Sequence, residues 1–303
     1  MRKKSFLICI SLFFFIACSG TSNPDDQITS IYKNKNSVNE EDDSDNEERN
    51  RFSGPFGIKG VDKEKEIGDI VFKDGTSTPY SEDLKLTNEQ KAAAIAIIFY
   101  KGTELNSWDD ESTERILGVG LKHSGKELNW CSLDIDYRLQ NENLFFRSIE
   151  CPVTQKDDKS FTFSKKRNGS DNFERLKKDY FANDETIISK FPAFSFAENY
   201  SKQKGCRVDG TVYSDGWYLP SIAELYQIYA CSKNGIDINA ISIFLGGDSF
   251  LGSYYPYWSS STKDKDTYAL DMRGLPYESR PQPEISNCFA SNSKLVCVIR
   301  EFD

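Results

Sequence analysis

Gly216-Trp217-Tyr218-Leu219-Pro220-Ser221-Ile222-Ala223-Glu224-Leu225 is the stretch on which the fold turns. Ser221 and Glu224 have the spacing of a capping box, in which each side chain accepts the other residue's backbone N–H at the start of a helix. Ile222, Leu225, Tyr226 and Tyr229 then fall on one helical face, so a scaffold helix is expected here. Trp217 and Leu219 read as core, and Glu224 as a cap rather than a catalytic acid.

Two further fragments follow in order, Tyr257-Trp258-Ser259-Ser260-Ser261-Thr262 and Val296-Cys297-Val298-Ile299-Arg300-Glu301-Phe302. They frame a stretch of unusual composition, residues 263 to 294. Tyr268 to Arg273 alternates, with Leu270 and Met272 on one face and Asp271 and Arg273 on the other, the pattern of a half-buried strand. Leu295 to Ile299 is continuously apolar and predicts a strand covered on both faces. Between them, Pro276, Pro281 and Pro283 deny regular structure to Gly274 through Glu284. The Tyr, Arg and Ser beside those prolines match adaptable recognition loops, as does Tyr254-Tyr255-Pro256-Tyr257. Ordinary wandering loops fit the same composition.

Upstream, Gly68 to Thr76 reads as a strand ending in a turn. Thr87 and Gln90 form a second capping box, opening a helix through Ala92-Ala93-Ala94 that gives way to a buried β-branched strand, Ile95 to Tyr100. Ile116 to Leu121 is another apolar segment, whose Gly118 and Gly120 imply close approach to the backbone. Ser160 to Phe163 alternates like a short strand. Ala193, Phe196, Ala197 and Tyr200 have helical spacing, with Pro192 in the first turn and Gly205 as the stop.

The chain has 303 residues, a net charge of −9 and 13% aromatic residues. With no basic patch, nucleic acid is not an expected partner. Arg2, Lys3 and Lys4 precede an apolar run from Phe6 to Ile16, the layout of an export signal over residues 1–17. That run is shorter than the about 20 residues of a spanning helix. Ala17-Cys18-Ser19 resembles a bacterial lipobox, although Phe15 departs from the usual Leu, and by that resemblance Cys18 is the lipidated N-terminus. Residues 18–55 include the acidic run Glu40 to Glu48 and read as a disordered tether. Residues 56–303 then form one domain.

Candidate chemistry is sparse. Ser259, Ser260 and Ser261 lack the surroundings of a nucleophile elbow, and His123 is the single histidine a triad would need. The serine hydroxyls are expected to satisfy backbone groups at a strand-to-loop junction. Asp134 with Asp136, and Asp264 with Asp266, could ligate calcium, but neither pair sits in a calcium-loop pattern, so solvated loop carboxylates are expected. No metal or cofactor is expected. Cys131, Cys151, Cys206, Cys231, Cys288 and Cys297 lie in an exported chain, which leaves both disulfides and free buried thiols open.

The Gly216 to Leu225 stretch resembles the G-W-R-L-P-T-x-x-E-x element of C-type-lectin-like domains of the formylglycine-generating-enzyme type. Trp258-Ser259-Ser260-Ser261 and Val298-Ile299-Arg300 match further elements in order, and Asp69 to Gly75 with Leu117 to Lys122 look like treponemal lipoproteins carrying this domain. The resemblance covers most of residues 60 to 303, and within it the chain is similar to treponemal variable proteins of diversity-generating retroelements. It implies an α+β, C-type-lectin-like fold, with two main helices packed on short antiparallel sheets and long loops. It also implies a variable region over about 250–295, diversified through adenine-directed mutagenesis. The ligand-facing positions it implies are Tyr254, Tyr255, Pro256, Asp271, Arg273, Leu275, Tyr277, Ser279, Arg280, Asn287 and Phe289, with Met272 and Trp258 as scaffold. The expected protein is a monomeric, non-enzymatic lipoprotein of the outer membrane or cell surface. It would touch the membrane only through its lipid and bind a protein or glycan. The rival readings are a non-variable envelope lipoprotein and an enzyme of the formylglycine-generating type using Cys288 and Cys297.

Overall fold

The computed structural model describes residues 54–106, 112–250, 256–272 and 283–303. Strand β1 (Asp69–Phe72) turns through Gly75, at φ +86°, into β2 (Ser77–Pro79). The Thr87/Gln90 capping box is formed in both directions and opens α1 (Asn88–Ala93). The helix ends where the sequence turns β-branched, and β3 (Ala94–Gly102) continues directly from it. Next come β4 (Arg115–Gly120), β5 (Leu128–Asn129), α2 (Leu133–Asn141), β6 (Val153–Gln155), β7 (Phe161–Phe163), α3 (Asn172–Tyr180) and α4 (Pro192–Glu198). The chain closes with α5 (Ile222–Lys233), α6 (Ile238–Phe244), β8 (Tyr257–Lys263), β9 (Asp266–Asp271), β10 (Glu284–Cys288), β11 (Ser293–Lys294) and β12 (Ile299–Phe302). It is a mixed α+β fold of small antiparallel sheets and several helices.

The larger sheet has the order β12-β4-β3-β1-β2, and the smaller the order β10-β9-β8. Both are covered on both faces over their inner strands, while β10 at the edge is part-exposed. Ala96, Ile98, Trp258, Ala269, Val296 and Val298 join an aromatic core with Trp130, Phe146, Phe173, Phe191 and Phe194, drawn from α2 to α4 and their connections. Ile97, Phe99, Tyr257, Leu270, Met272, Cys297 and Ile299 join a second core with Ile222, Leu225, Ile228 and Ile241 of α5 and α6. The predicted two-sided burial of Leu295 to Ile299 is therefore present. Most of that run is not a ladder strand, because its backbone changes partners: Leu295 bonds to Pro256 and Trp258, Val296 to Ser124, and Val298 to Gly120. It is the link that passes from one sheet to the other.

Other expectations need correction. The resemblance implies two main helices, whereas the structure has several, with α2 and α3 each longer than α4. The Pro192 helix ends at Glu198 and tightens into a 3-10 turn at Tyr200–Lys202 before Gly205. Asp134 and Asp136 belong to the first turn of α2, not to a loop, and Asp136 is buried. β9 is buried on both faces from Thr267 to Leu270, not half-buried. The close approach at Gly118 and Gly120 comes from aromatic side chains: an added Cβ would lie 2.6 Å from the Phe302 ring and 2.6 Å from Tyr200 Oη, respectively.

All six cysteines of the domain are free thiols, and Cys131, Cys151, Cys231 and Cys297 are buried. Their role is packing. Adding a reducing agent is expected to leave the thermal midpoint unchanged, with Cys131, Cys151, Cys231 and Cys297 alkylated only after denaturation. A midpoint that drops under reduction would mean that a disulfide forms.

Candidate functional site

The three sequence fragments that frame the C-terminal region meet in one junction. Tyr218 and Ile299 exchange two backbone hydrogen bonds, at 3.0 and 3.1 Å, and the Arg300 guanidinium lies against the backbone of Gly216. Ser260 N donates to Pro220 O at 2.7 Å. Leu295 N donates to Pro256 O at 3.0 Å, and Trp258 N to Leu295 O at 2.8 Å.

The serine run has a structural reason. The β8–β9 register shifts between Trp258 and Thr262, so the Ser259–Ser261 backbone leaves the regular ladder. Ser259 O accepts from Trp130 Nε1 at 2.9 Å, and Ser260 Oγ from Asn172 Nδ2 at 2.8 Å. Ser261 Oγ accepts from Ile222 N at 3.0 Å, a first-turn amide that no helical carbonyl reaches. The Ser259 hydroxyl, which donates to Tyr268 O at 3.0 Å, and the Ser261 hydroxyl satisfy backbone groups, as expected, whereas that of Ser260 meets a side chain, and all three lie inside a strand rather than at its end. All three serines are fully buried, which leaves no room for a nucleophile's substrate.

Glu224 holds the other side of the junction. Its Oε1 accepts from Arg115 Nη1 at 2.9 Å and Tyr218 Oη at 3.0 Å, and its Oε2 from Ser221 N at 2.8 Å and Gly169 N at 3.1 Å. Arg115 also donates to Tyr218 Oη at 2.8 Å and Glu301 Oε2 at 3.2 Å. Burial alone would lower the pKa of Arg115, but Tyr218, Glu224 and Glu301 hold it above its ordinary value. Burial and Glu224 push the Tyr218 phenol well above its ordinary value. A fully buried carboxylate with four donors and a paired cation is a structural clamp. Sequence reasoning found its local half, the cap, and missed Arg115.

His123 is 3% exposed, packs against the Phe250 ring in a tilted pair at 4.4 Å and shares a 2.9 Å hydrogen bond between Nδ1 and Tyr257 Oη. Burial lowers its pKa to about 4, against the pull of the Asp248 carboxylate and with a further push from Lys122. The folded protein thus keeps His123 neutral, while the unfolded chain takes up a proton near pH 6.5. Stability from this group is complete above that pH and is lost as pH falls toward 4. The loss is on the order of 3 kcal/mol at most. Urea midpoints should fall between pH 6.5 and 5 in the parent and stay flatter in His123→Phe. Parallel profiles would show that His123 does not titrate this way.

The described members of the implied ligand-facing set divide between the two ends of the small sheet. Tyr257 pairs with Leu270 and Glu284 with Asp271, which puts half-buried Pro256 and Asp271 at one end of the sheet. Asn287 and Phe289 lie toward the other end, beside the β8–β9 turn, and both are exposed, Phe289 by 56%. At the strand rise per residue, the two groups are about 10 Å or more apart. Pro256 is a frame residue through its carbonyl. Tyr254, Tyr255, Arg273, Leu275, Tyr277, Ser279, Arg280 and the lipidation candidate Cys18 lie outside the described residues. Met272 and Trp258 are buried, as scaffold residues should be.

Among the described residues, no three His, Cys, Asp or Glu side chains stand together as metal ligands, and no helix is long and apolar enough to cross a membrane. A cavity of about 170 Å³ is lined by Lys122, Tyr200, Cys206, Arg207 and Asp248. Arg207 spends its guanidinium there on the carbonyls of Lys91, Ala94, Leu245 and Gly246, joining the ends of α1 and α6.

No family model matches the chain, and no curated protein matches it. Among solved structures, the crystal structure of a fimbrial protein from Bacteroides ovatus is similar at 16% identity with a TM-score of 0.46, over 78% of this chain and 49% of that one. The chain thus spans about half the length of that protein. The likeness is too distant to bear on what this chain does.

Proposed function

We propose that the protein is a lipid-anchored surface protein whose C-type-lectin-like domain, of the formylglycine-generating-enzyme type, presents a diversified C-terminal surface to protein or glycan ligands. The observation that carries this reading is the junction itself. The fragments flanking the C-terminal region are bonded to one another through backbone and buried side chains, while Asn287 and Phe289 between them face outward. A frame fixed in this way tolerates exchange at outward positions and lowers the ordering cost of binding. Lipid attachment at Cys18 and diversification by a retroelement belong to the same proposal.

The enzyme reading has less support. Cys297 is fully buried, and burial pushes its thiol up to about 12, far from the thiolate a reactive pair needs. The proposal is tested by sequencing the locus across isolates. It expects a near-copy of the region encoding residues 250 to 303, differing mainly at adenines, beside a reverse transcriptase gene. Identical sequences in all isolates with no such copy would remove diversification and favour a fixed envelope lipoprotein.

A further inference from the structure

Tyr200, Cys206, Arg207 and Asp248 meet away from the C-terminal region, around the cavity of about 170 Å³. Its buried wall is made by Ile95, Leu121, Val208 and Tyr200, none of them more than 5% exposed. Gly205 and Gly246 are exposed at its edge, and the side chains of Lys122 and Asp248 are 31% and 36% open. The space therefore has an apolar interior and a charged mouth. An engineered apolar cavity of about 150 Å³ holds a benzene molecule, so a small organic ligand fits a space of this size.

The charges at the mouth have bonding capacity to spare. Lys122 Nζ donates to Asp248 Oδ2 at 2.7 Å, and His123 N donates to the same oxygen at 2.8 Å. Asp248 Oδ1 takes no hydrogen bond among the described residues, and the Lys122 ammonium keeps further N–H groups to give. The Arg207 guanidinium donates to neutral carbonyls alone, so no carboxylate offsets its charge directly. Burial raises the Cys206 thiol above its ordinary value, so it adds no charge at neutral pH. Lys122 and Asp248 cancel, which leaves the cavity with the positive charge of Arg207. That balance favours a ligand with a carboxylate, while the open Asp248 Oδ1 favours an ammonium beside it. An α-amino acid carries both groups on one carbon, and an apolar side chain suits the buried wall. A plain amine leaves Arg207 without a counter-charge, and a plain carboxylate brings Asp248 no donor.

We infer that this cavity binds a free α-amino acid with a branched apolar side chain, of the size of valine or leucine. The ligand's carboxylate lies at Lys122, its ammonium at Asp248 Oδ1, and its side chain against Ile95, Leu121, Tyr200 and Val208. None of these residues belongs to the 250–295 region, so the site does not depend on the proposed display role. The test titrates L-valine and L-leucine into the full chain in detergent by calorimetry. Each is compared with the acid that lacks its ammonium (isovalerate, isocaproate) and the amine that lacks its carboxylate (isobutylamine, isoamylamine). A second readout is the rate of iodoacetamide labelling at Cys206, which lines the cavity and is part-exposed, with part-exposed Cys288 as the control. The expected result is saturable binding of one or both amino acids, with the acids and amines at least about tenfold weaker. At saturation, labelling of Cys206 slows about tenfold and that of Cys288 does not change. Asp248→Asn should weaken the amino acid about tenfold and leave the matching acid no weaker, a split that a general loosening of the fold does not produce. If neither amino acid gives saturable heat or slows labelling at Cys206, the site is overturned. Equal binding of an amino acid and its deaminated acid overturns it too, as does protection of Cys206 by N-acetylglucosamine in place of the amino acids.

Discussion

Glu224→Ala is expected to lower the unfolding free energy by about 3–5 kcal/mol, the cost of leaving a buried charge without its partner. Arg115 and Glu224 are 3% and 0% exposed, so water cannot replace the lost carboxylate. The same change strands the amides of Ser221 and Gly169 and removes the N3 member of the capping box. Thr87→Ala removes only an exposed cap on α1 and should cost about 1 kcal/mol. The contrast is read from urea midpoints at constant slope. If Glu224→Ala cost no more than Thr87→Ala, the clamp would not hold the junction.

Trp258→Ala is the second large effect, also about 3–5 kcal/mol, because a fully buried indole leaves a cavity that the surrounding strands cannot close. Its Nε1 donates to Leu128 O at 2.7 Å, so the substitution also leaves that carbonyl unpaired. Trp258→Phe keeps much of the packing and should cost less than half as much. Hydrogen exchange should localise the damage to β8, β9 and the β5–β11 pair, since Trp258 pairs with Ala269 and bonds to β5. Uniform loss of protection across both sheets would mean that Trp258 supports the whole fold rather than its C-terminal strands.

Local signals in the sequence were legible where the physics is local. Both capping boxes, the β-branched run of β3, and the buried Trp217 and Trp258 all follow from neighbours within a few positions. α2 was missed because Leu133-Asp134-Ile135-Asp136 alternates apolar and acidic residues, hiding the Ile135/Leu139 stripe that packs inward. Arg115 meets Glu224 across 109 positions of sequence, and no local pattern announces such a pair. The thiols were undecided because compartment and spacing say nothing about whether sulfurs meet. Of the implied ligand surface, composition and resemblance identified exposed Asn287 and Phe289. They could not reveal that Pro256 serves through its carbonyl, which accepts from Leu295 N.

The central claim is that a rigid frame carries a freely exchangeable surface. Its most direct measurement is a display library that randomises Tyr254, Tyr255, Asp271, Arg273, Leu275, Tyr277, Ser279, Arg280, Asn287 and Phe289 together and is sorted first for folded protein, then for binding. The account predicts that most members fold with midpoints close to the parent and that different members bind different targets. A library in which most members unfold, or in which folded members all keep the parent's binding, would contradict it.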